Sequence, residues 1–217
     1  LENTKLEAMR KLLVFTLLII SSLALFSQKN ISLPEPDKTG GMPLMEALAN
    51  RSTSRAFSTK ALPHKQLSNL LWAAWGINRA DGKRTAPSAM NKQEIDIYVL
   101  LKSGVYLWDA VANQLVIVSP DDVRNFAGSQ EFIRDAPVQI ILVANLSKMG
   151  NANENEKLNT ANIDAGYISQ NIYLYCASEG LATGARGYLD KVDLAPKLML
   201  KPGQEIIIAH SVGYPKK

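Results

Sequence analysis

The sequence is poor in the groups that most often betray a chemistry. Among 217 residues there is one cysteine, Cys176, and there are two histidines, His64 and His210. One cysteine excludes an intrachain disulfide framework and any cysteine-rich zinc site. Neither histidine has companion ligands at metal spacing; His64 stands at a predicted helix start and His210 at a predicted strand end, and both read as structural. No G-x-G-x-x-G follows a strand and no G-x-x-x-x-G-K-[ST] is present, which removes the usual nucleotide fingerprints. There is no G-x-S-x-G elbow either, so a serine hydrolase built on Ser88 and His210 has little to stand on. Self-similarity with a period of about 20–50 residues is missing, which excludes solenoids and propellers. The excess of positive charge is small as well: 24 Lys+Arg against 20 Asp+Glu leave a net +4, and it is scattered. Without a basic stripe interleaved with aromatics, nucleic acid is a poor partner.

What remains is an ordinary globular composition, 47% apolar and 20% charged, sized for one domain. Its N-terminus reads differently. Met9-Arg10-Lys11 precedes the apolar run Leu12–Phe26, and Ser27-Gln28 follows. A basic start, a greasy stretch and small residues at its end describe a secretory leader over residues 1–27. The run is shorter than the ~20 residues that span a bilayer. Cleavage and export to a periplasmic or other extracytoplasmic compartment are the expectation. An uncleaved leader is the alternative, and the one route by which the chain would touch a membrane. One cysteine suits export if its thiol is buried and inert.

Residues 28–42, with two prolines and two glycines, read as an extended arm, and residues 43–217 as the domain. Pro43–Leu48 predicts a short helix. After Pro63, the residues Leu67, Leu70, Leu71, Ala74 and Trp75 form one helical stripe, ended by Gly76 or Gly82. Ile95–Leu101 is a buried strand, Val105–Trp108 and Leu115–Val118 form a hairpin, and Val138–Ala144 is a strand buried on both faces. Lys148–Glu156 reads as a polar loop. Asn159–Glu179 is the longest helix, capped by Gly180. Leu181–Tyr188 is strand-like, Asp190 caps a helix through Leu200, and Glu205–Val212 closes the sheet. The expected class is α+β with a central mixed sheet flanked by helices.

Three segments carry candidate chemistry. In Arg51-Ser52-Thr53-Ser54-Arg55, two guanidiniums flank three hydroxyls; such a set can surround a phosphate, although alone it reads first as a solvated basic turn. In Arg84–Asn91 (RTAPSAMN), Pro87 and Ser88 suit a capped turn, and Asn91 offers a donor and an acceptor. In Glu179–Gly187, three glycines let backbone approach something flat; a helix cap and tight turn explain Gly180 well, and Gly184 and Gly187 less well. Trp72, Trp75 and Trp108 read as core before they read as a cavity wall.

Taken together with a terminal V-G-Y-P-K-K, these blocks resemble the nitroreductase family of FMN enzymes over residues 43–217. RTAPSA, the strand IDIYVLL and the following hairpin are most similar to the branch that contains azoline dehydrogenases. The resemblance implies an α+β sandwich forming an obligate homodimer with FMN at its interface. It implies that Arg51, helped by Ser52 and Thr53, holds the phosphate, and that Arg55 faces the pyrimidine edge. A cation there favours the reduced flavin. Pro87, Ser88, Ala89 and Asn91 would come from the other subunit. Arg186 and Gly187 would offer backbone N–H groups to N5 and O4, Gln130 a polar ring contact, and Lys216 or Lys217 a phosphate contact. No side-chain acid, base or nucleophile and no metal is implied. The expected activity is two-electron hydride transfer through flavin N5 to or from a small conjugated substrate, nitroaromatic- or quinone-like. NAD(P)H or another donor would supply electrons; export sets NAD(P)H, a cytosolic donor, in tension with that role. The alternatives are an exported flavin-binding protein without turnover and a dehydrogenase of an azoline-like substrate.

Overall fold

Alternation within the strands decides how the layers stack. The computed structural model describes residues 29–216; the leader expected over residues 1–27 and the terminal Lys217 lie outside them. Seven strands form one sheet in the order β1-β4-β3-β2-β5-β7-β6. They are β1 (Ile31–Ser32), β2 (Ile95–Leu101), β3 (Gly104–Asp109), β4 (Gln114–Ser119), β5 (Val138–Asn145), β6 (Ala182–Arg186) and β7 (Gln204–Gly213). Five helices cover it: α1 (Leu44–Asn50), α2 (His64–Trp75), α3 (Phe132–Asp135), α4 (Glu154–Ser178) and α5 (Lys191–Lys197). Along β5, Val138, Ile140, Leu142 and Ala144 join the apolar stripes of α2 and α4, while Ile141 and Val143 join Ile133 of α3 and Leu194 of α5 on the opposite face. A period-2 strand with apolar residues at both parities must be covered on both sides, and it is.

Every pairing among the described strands is antiparallel, which corrects the expectation of a mixed sheet. Strands β5 and β6, joined through α4, do run in the same direction. They are not neighbours, because β7 lies between them and pairs antiparallel with both. A long helical crossover is therefore compatible with a wholly antiparallel sheet once a later strand fills the gap.

The helix ends follow local chemistry. The Asn153 side chain accepts the Glu156 N–H and starts α4, so the helix begins at Glu154 inside the segment read as a loop. Asparagine suits a cap as well as a loop, and this one is a cap. At the other end Gly180 takes φ +65°, and the Leu181 N–H reaches back to the Cys176 carbonyl at 2.8 Å. That six-to-one closure requires a left-handed residue, which glycine supplies without strain. Asp190 caps α5 by accepting from Asp193 N–H, but the helix stops at Lys197, short of the expected Leu200. In the arm, β1 pairs with β4. Trp75 and Trp108 are core residues, whereas Trp72 is half-buried. Cys176 is buried, and burial pushes its thiol well above the ordinary range. No helix of the described residues is long and apolar enough to cross a membrane.

Ile140→Ala, at the fully buried centre of β5, should lower unfolding free energy by about 2–5 kcal/mol. Val111→Ala, on an exposed turn, should stay within about 0.5 kcal/mol. Urea denaturation measures both.

Candidate functional site

The segment after α1 lies in extended form across one end of the sheet. The Ser54 N–H donates to the Thr183 carbonyl at 2.8 Å, the Ser58 N–H to the Tyr214 carbonyl at 2.8 Å, and the Lys216 N–H to the Ala56 carbonyl at 3.3 Å. Phe57, buried, bridges to Pro215. Gly184 makes the approach possible: a Cβ there would sit 2.7 Å from the Ser54 carbonyl oxygen, closer than packed atoms tolerate. This is a physical role for one of the glycines that a turn explained poorly.

One aromatic residue, Tyr173, then orients Arg51. The Arg51 guanidinium stacks 5.3 Å from the centroid of the Tyr173 ring. The Tyr173 hydroxyl lies 3.0 Å from Thr53 Oγ1 and accepts the Ala185 N–H at 2.9 Å. Tyr173, on α4, thus ties the hydroxyl segment to β6; its signal in the sequence is only a tyrosine on a long helix. Ser52, Thr53 and Arg55 are exposed and Arg51 half-buried. Among the described residues, neither arginine has an acidic partner. Ser52 lines a cavity of about 210 Å³ with Tyr173, Gly180 and Thr183. Arg55 and Lys216 share one of about 430 Å³ with Glu131, Phe132 and Arg134. Lys216 Nζ rests 3.4 Å from Asp135. Gln130 is exposed at the entry to α3, and its carbonyl accepts the Ile133 N–H.

Arg186 and Gly187 differ sharply. Gly187 is exposed, whereas the Arg186 side chain is buried beneath the sheet end. Its guanidinium donates to Ser211 Oγ at 2.7 Å, Gln139 Oε1 at 2.9 Å and the Ala127 carbonyl at 3.2 Å. These acceptors are neutral, and burial lowers its pKa to about 10, which leaves a buried positive charge close to the arginine segment. The neighbouring His210 is fully buried between Ser169 Oγ at 2.8 Å and Thr183 Oγ1 at 3.3 Å. Burial first, then the Arg186 charge, depresses its pKa to about 3, so the ring is neutral. Its nitrogens are occupied by hydroxyls other than Ser88, which disposes of the Ser88–His210 hydrolase reading.

The Pro87–Asn91 loop does not join this group within one chain. Pro87 and Asn91 are exposed, Ser88 and Ala89 half-buried, and Met90 is 83% exposed. The Ala89 N–H donates to Asp164 Oδ2 at 2.8 Å, and Ser88 Oγ accepts the Gln93 N–H at 3.1 Å. Asp164 and Tyr173 are both on α4, nine residues apart, which is about 13.5 Å of helix. Beside the loop, Glu94 is fully buried, and burial followed by the charge of Asp164 raises its pKa. Neither Glu94 nor Asp164 stood out in the sequence, since single carboxylates near strand starts and in helices are ordinary. A cavity of about 600 Å³ between the arm, α1, α2 and α4 is lined by Trp72, Tyr175 and Asn171 and by none of the residues that the resemblance assigns to the flavin.

Residues 48–214 match the profile of the nitroreductase family. A candidate nitroreductase from Methanocaldococcus jannaschii is 27% identical over 194 residues, covering 81% of this chain and 96% of its own. The crystal structure of a candidate nitroreductase from Ralstonia eutropha superposes with a TM-score of 0.84 at 41% identity, covering 88% of this chain and 91% of that one. An NADPH:FMN oxidoreductase from Vibrio harveyi shares the fold at 18% identity, with a TM-score of 0.62 over 80% of this chain and 69% of its own.

Tyr173→Phe should unpair the Ala185 N–H and free Thr53, costing about 1–3 kcal/mol of stability. Hydrogen exchange should rise at Ala185. Unchanged exchange there would show that the hydroxyl does not tie β6 to the helix.

Proposed function

The chain belongs to the nitroreductase family of flavin-dependent oxidoreductases, and from that premise we propose that it binds FMN between two copies of itself and reduces or oxidises a small conjugated substrate of nitroaromatic or quinone type. The observation that carries the reading is the pair of arginines without acidic partners at the β6 end, with Arg51 pre-oriented on Tyr173. An unpaired guanidinium beside a free Ser52 hydroxyl is a donor set for a phosphate, because it offers charge-assisted bonds without first breaking an ion pair. The residues present therefore fit the phosphate of FMN. Arg51, Ser52 and Thr53 would hold it, Arg55 would lie along the ring edge, and Gly187 would offer an exposed backbone. Lys216 would reach the phosphate only by leaving Asp135. FMN, when bound, supplies two-electron hydride transfer. The chain supplies position, positive charge from Arg55 and Arg186, and a surface from which a second copy excludes water.

The second copy enters because one chain leaves the site incomplete. Asp164, which holds the Ser88–Asn91 loop, and Tyr173, which orients Arg51, are separated along one helix. Two copies of α4 crossing antiparallel near Tyr167 and Gln170 would set the loop of one protomer against the arginines of the other. The outer side of α4 suits that contact. Ile163 is 58% and Tyr167 47% exposed, and Gly166 between them is open to close approach. Leu44, Met45 and Leu48 of α1 and Met90 of the loop add exposed apolar surface. Apolar area of this kind on a soluble domain is the mark of an interface.

Export through the leader belongs to the same reading. A flavin loaded before export, or taken up outside, would then be reduced by a donor other than a nicotinamide; in the cytosol NADH or NADPH would serve. The RTAPSA segment behind the azoline-dehydrogenase resemblance contributes scaffolding here. Arg84 donates to Gln93 Oε1 at 2.7 Å and to the Trp75 carbonyl at 2.8 Å.

The test is the absorption spectrum of the purified protein with and without Arg51→Ala. The native chain should carry FMN, and the variant should bind it about 10- to 100-fold more weakly. Ile163→Glu with Tyr167→Glu should yield monomers by light scattering and lose the flavin together with the dimer. Equal FMN occupancy in the Arg51 variant would remove that residue from the site. A yellow protein that no donor or acceptor turns over would favour flavin binding without catalysis.

A further inference from the structure

Behind the Ser88–Asn91 loop lies a pair of carboxyls that the flavin chemistry does not use. Glu94, the residue before β2, is fully buried, and Asp164, on α4, is 3% exposed. Both oxygens of the Glu94 carboxyl lack a hydrogen-bond partner, and Asp164 is the neighbouring carboxyl whose charge acts on it. Two ionised carboxylates cannot share a buried site, and a buried carboxylate without a donor is costly. One proton between them removes both problems. The other charges facing the pair do not take its place. Lys148, on the turn after β5, is held by Asp96 at 2.8 Å and by the Gln93 carbonyl at 3.2 Å. Arg84 is engaged with Gln93 and Trp75.

The loop in front needs a firm anchor. Met90, Asn91 and Gln93 take φ of +50°, +52° and +47°, a backbone region that side chains enter only when their surroundings impose it. Gln93 Nε2 donates to Asn91 Oδ1 within the loop at 3.0 Å and to the Gly82 carbonyl at 3.1 Å. The tie to α4 is the Ala89 N–H on Asp164.

We propose that Glu94 and Asp164 are positioning residues: one proton shared by their carboxyls lets Asp164 hold the Ala89 N–H and so fixes the Ser88–Asn91 loop where it lines the flavin of the second subunit. The inference rests on the flavin reading for its consequence, though not for the carboxyl pair itself. When the proton leaves, two like charges occupy one buried site, Asp164 and Glu94 separate, and the loop loses its anchor. FMN binding then weakens with rising pH although neither carboxyl touches the reacting atoms.

The test is FMN affinity, by flavin fluorescence, across about pH 6 to 9, in the dimeric protein and in Glu94→Gln. Above the titration of Glu94, which burial and then Asp164 raise to about 7, the native affinity should fall by up to about tenfold per pH unit. Glu94→Gln, whose amide donates at every pH, should flatten that slope, and comparing the two subtracts the titration of the FMN phosphate. Should Glu94→Gln not fold, Asp164→Asn makes the same test, because its amide donates to Glu94 while its carbonyl still accepts the Ala89 N–H. Equal slopes in native and variant protein would overturn the proposal. Two flavin-free readouts separate it from the flavin reading. The folded chain keeps a proton that the unfolded chain releases in the ordinary carboxyl range, so native stability should fall as pH rises from that range toward about 7 and then level off. Protection of the Ala89 amide from exchange should fall over the same titration. Both trends should vanish in Glu94→Gln. If the native protein binds no FMN yet shows both trends, the flavin reading fails and the carboxyl pair stands; if neither trend appears, the pair is overturned.

Discussion

A single rigid rod, α4, sets the distances on which the rest of the site depends. Its inner stripe, Ala161, Ala165, Ile168, Ile172 and Cys176, is packed on the sheet, so the rod cannot roll or slide without opening the core. On that fixed frame Asp164 catches the Ala89 N–H and Tyr173 catches Thr53, Arg51 and the Ala185 N–H. Local bonds at each end would not give a defined spacing; a helix buried along its length does. One chain therefore holds the Ser88–Asn91 loop and the arginine segment apart along the helix, the gap that the proposed second copy would close.

Burial also sorts the charges. Among the described residues Arg51 and Arg55 have no acidic partners, while Arg186 is enclosed among neutral oxygens from Ser211, Gln139 and Ala127. A charge enclosed in this way costs desolvation, and it persists because its donors are satisfied. Its field reaches His210, which stays neutral, and the adjoining β6 end where Gly184 brings the Ser54 carbonyl close. A surface lysine such as Lys216, already near Asp135, exerts a far weaker and more easily screened influence.

Much of the fold was legible in the residues. The stripe from Leu67 to Trp75, the strands Ile95–Leu101 and Val138–Ala144, and the Gly180 cap all stand where periodicity and cap chemistry put them, because each is decided locally. The wholly antiparallel pairing was not legible, since strand direction is settled by which strand fills the gap beside β5, and β7 is the last to be made. The start of α4 was missed because asparagines serve loops and caps alike. In the site, the arginine segment and the Pro87–Asn91 turn could be read as candidates from residue type. Tyr173, Asp164 and Glu94 could not, because their roles arise from what the folded chain sets beside them.

The inward-facing thiol of Cys176 has its own consequence. It sits on the stripe that α4 presses against the sheet, with its ionisation disfavoured by burial. The chain can therefore pass from a reducing to an oxidising compartment without crosslinking or sulfenylation while it remains folded. An alkylating reagent should label that nearly inaccessible sulfur slowly through the small cavity it shares with Ser52, and faster when α4 loosens from the sheet.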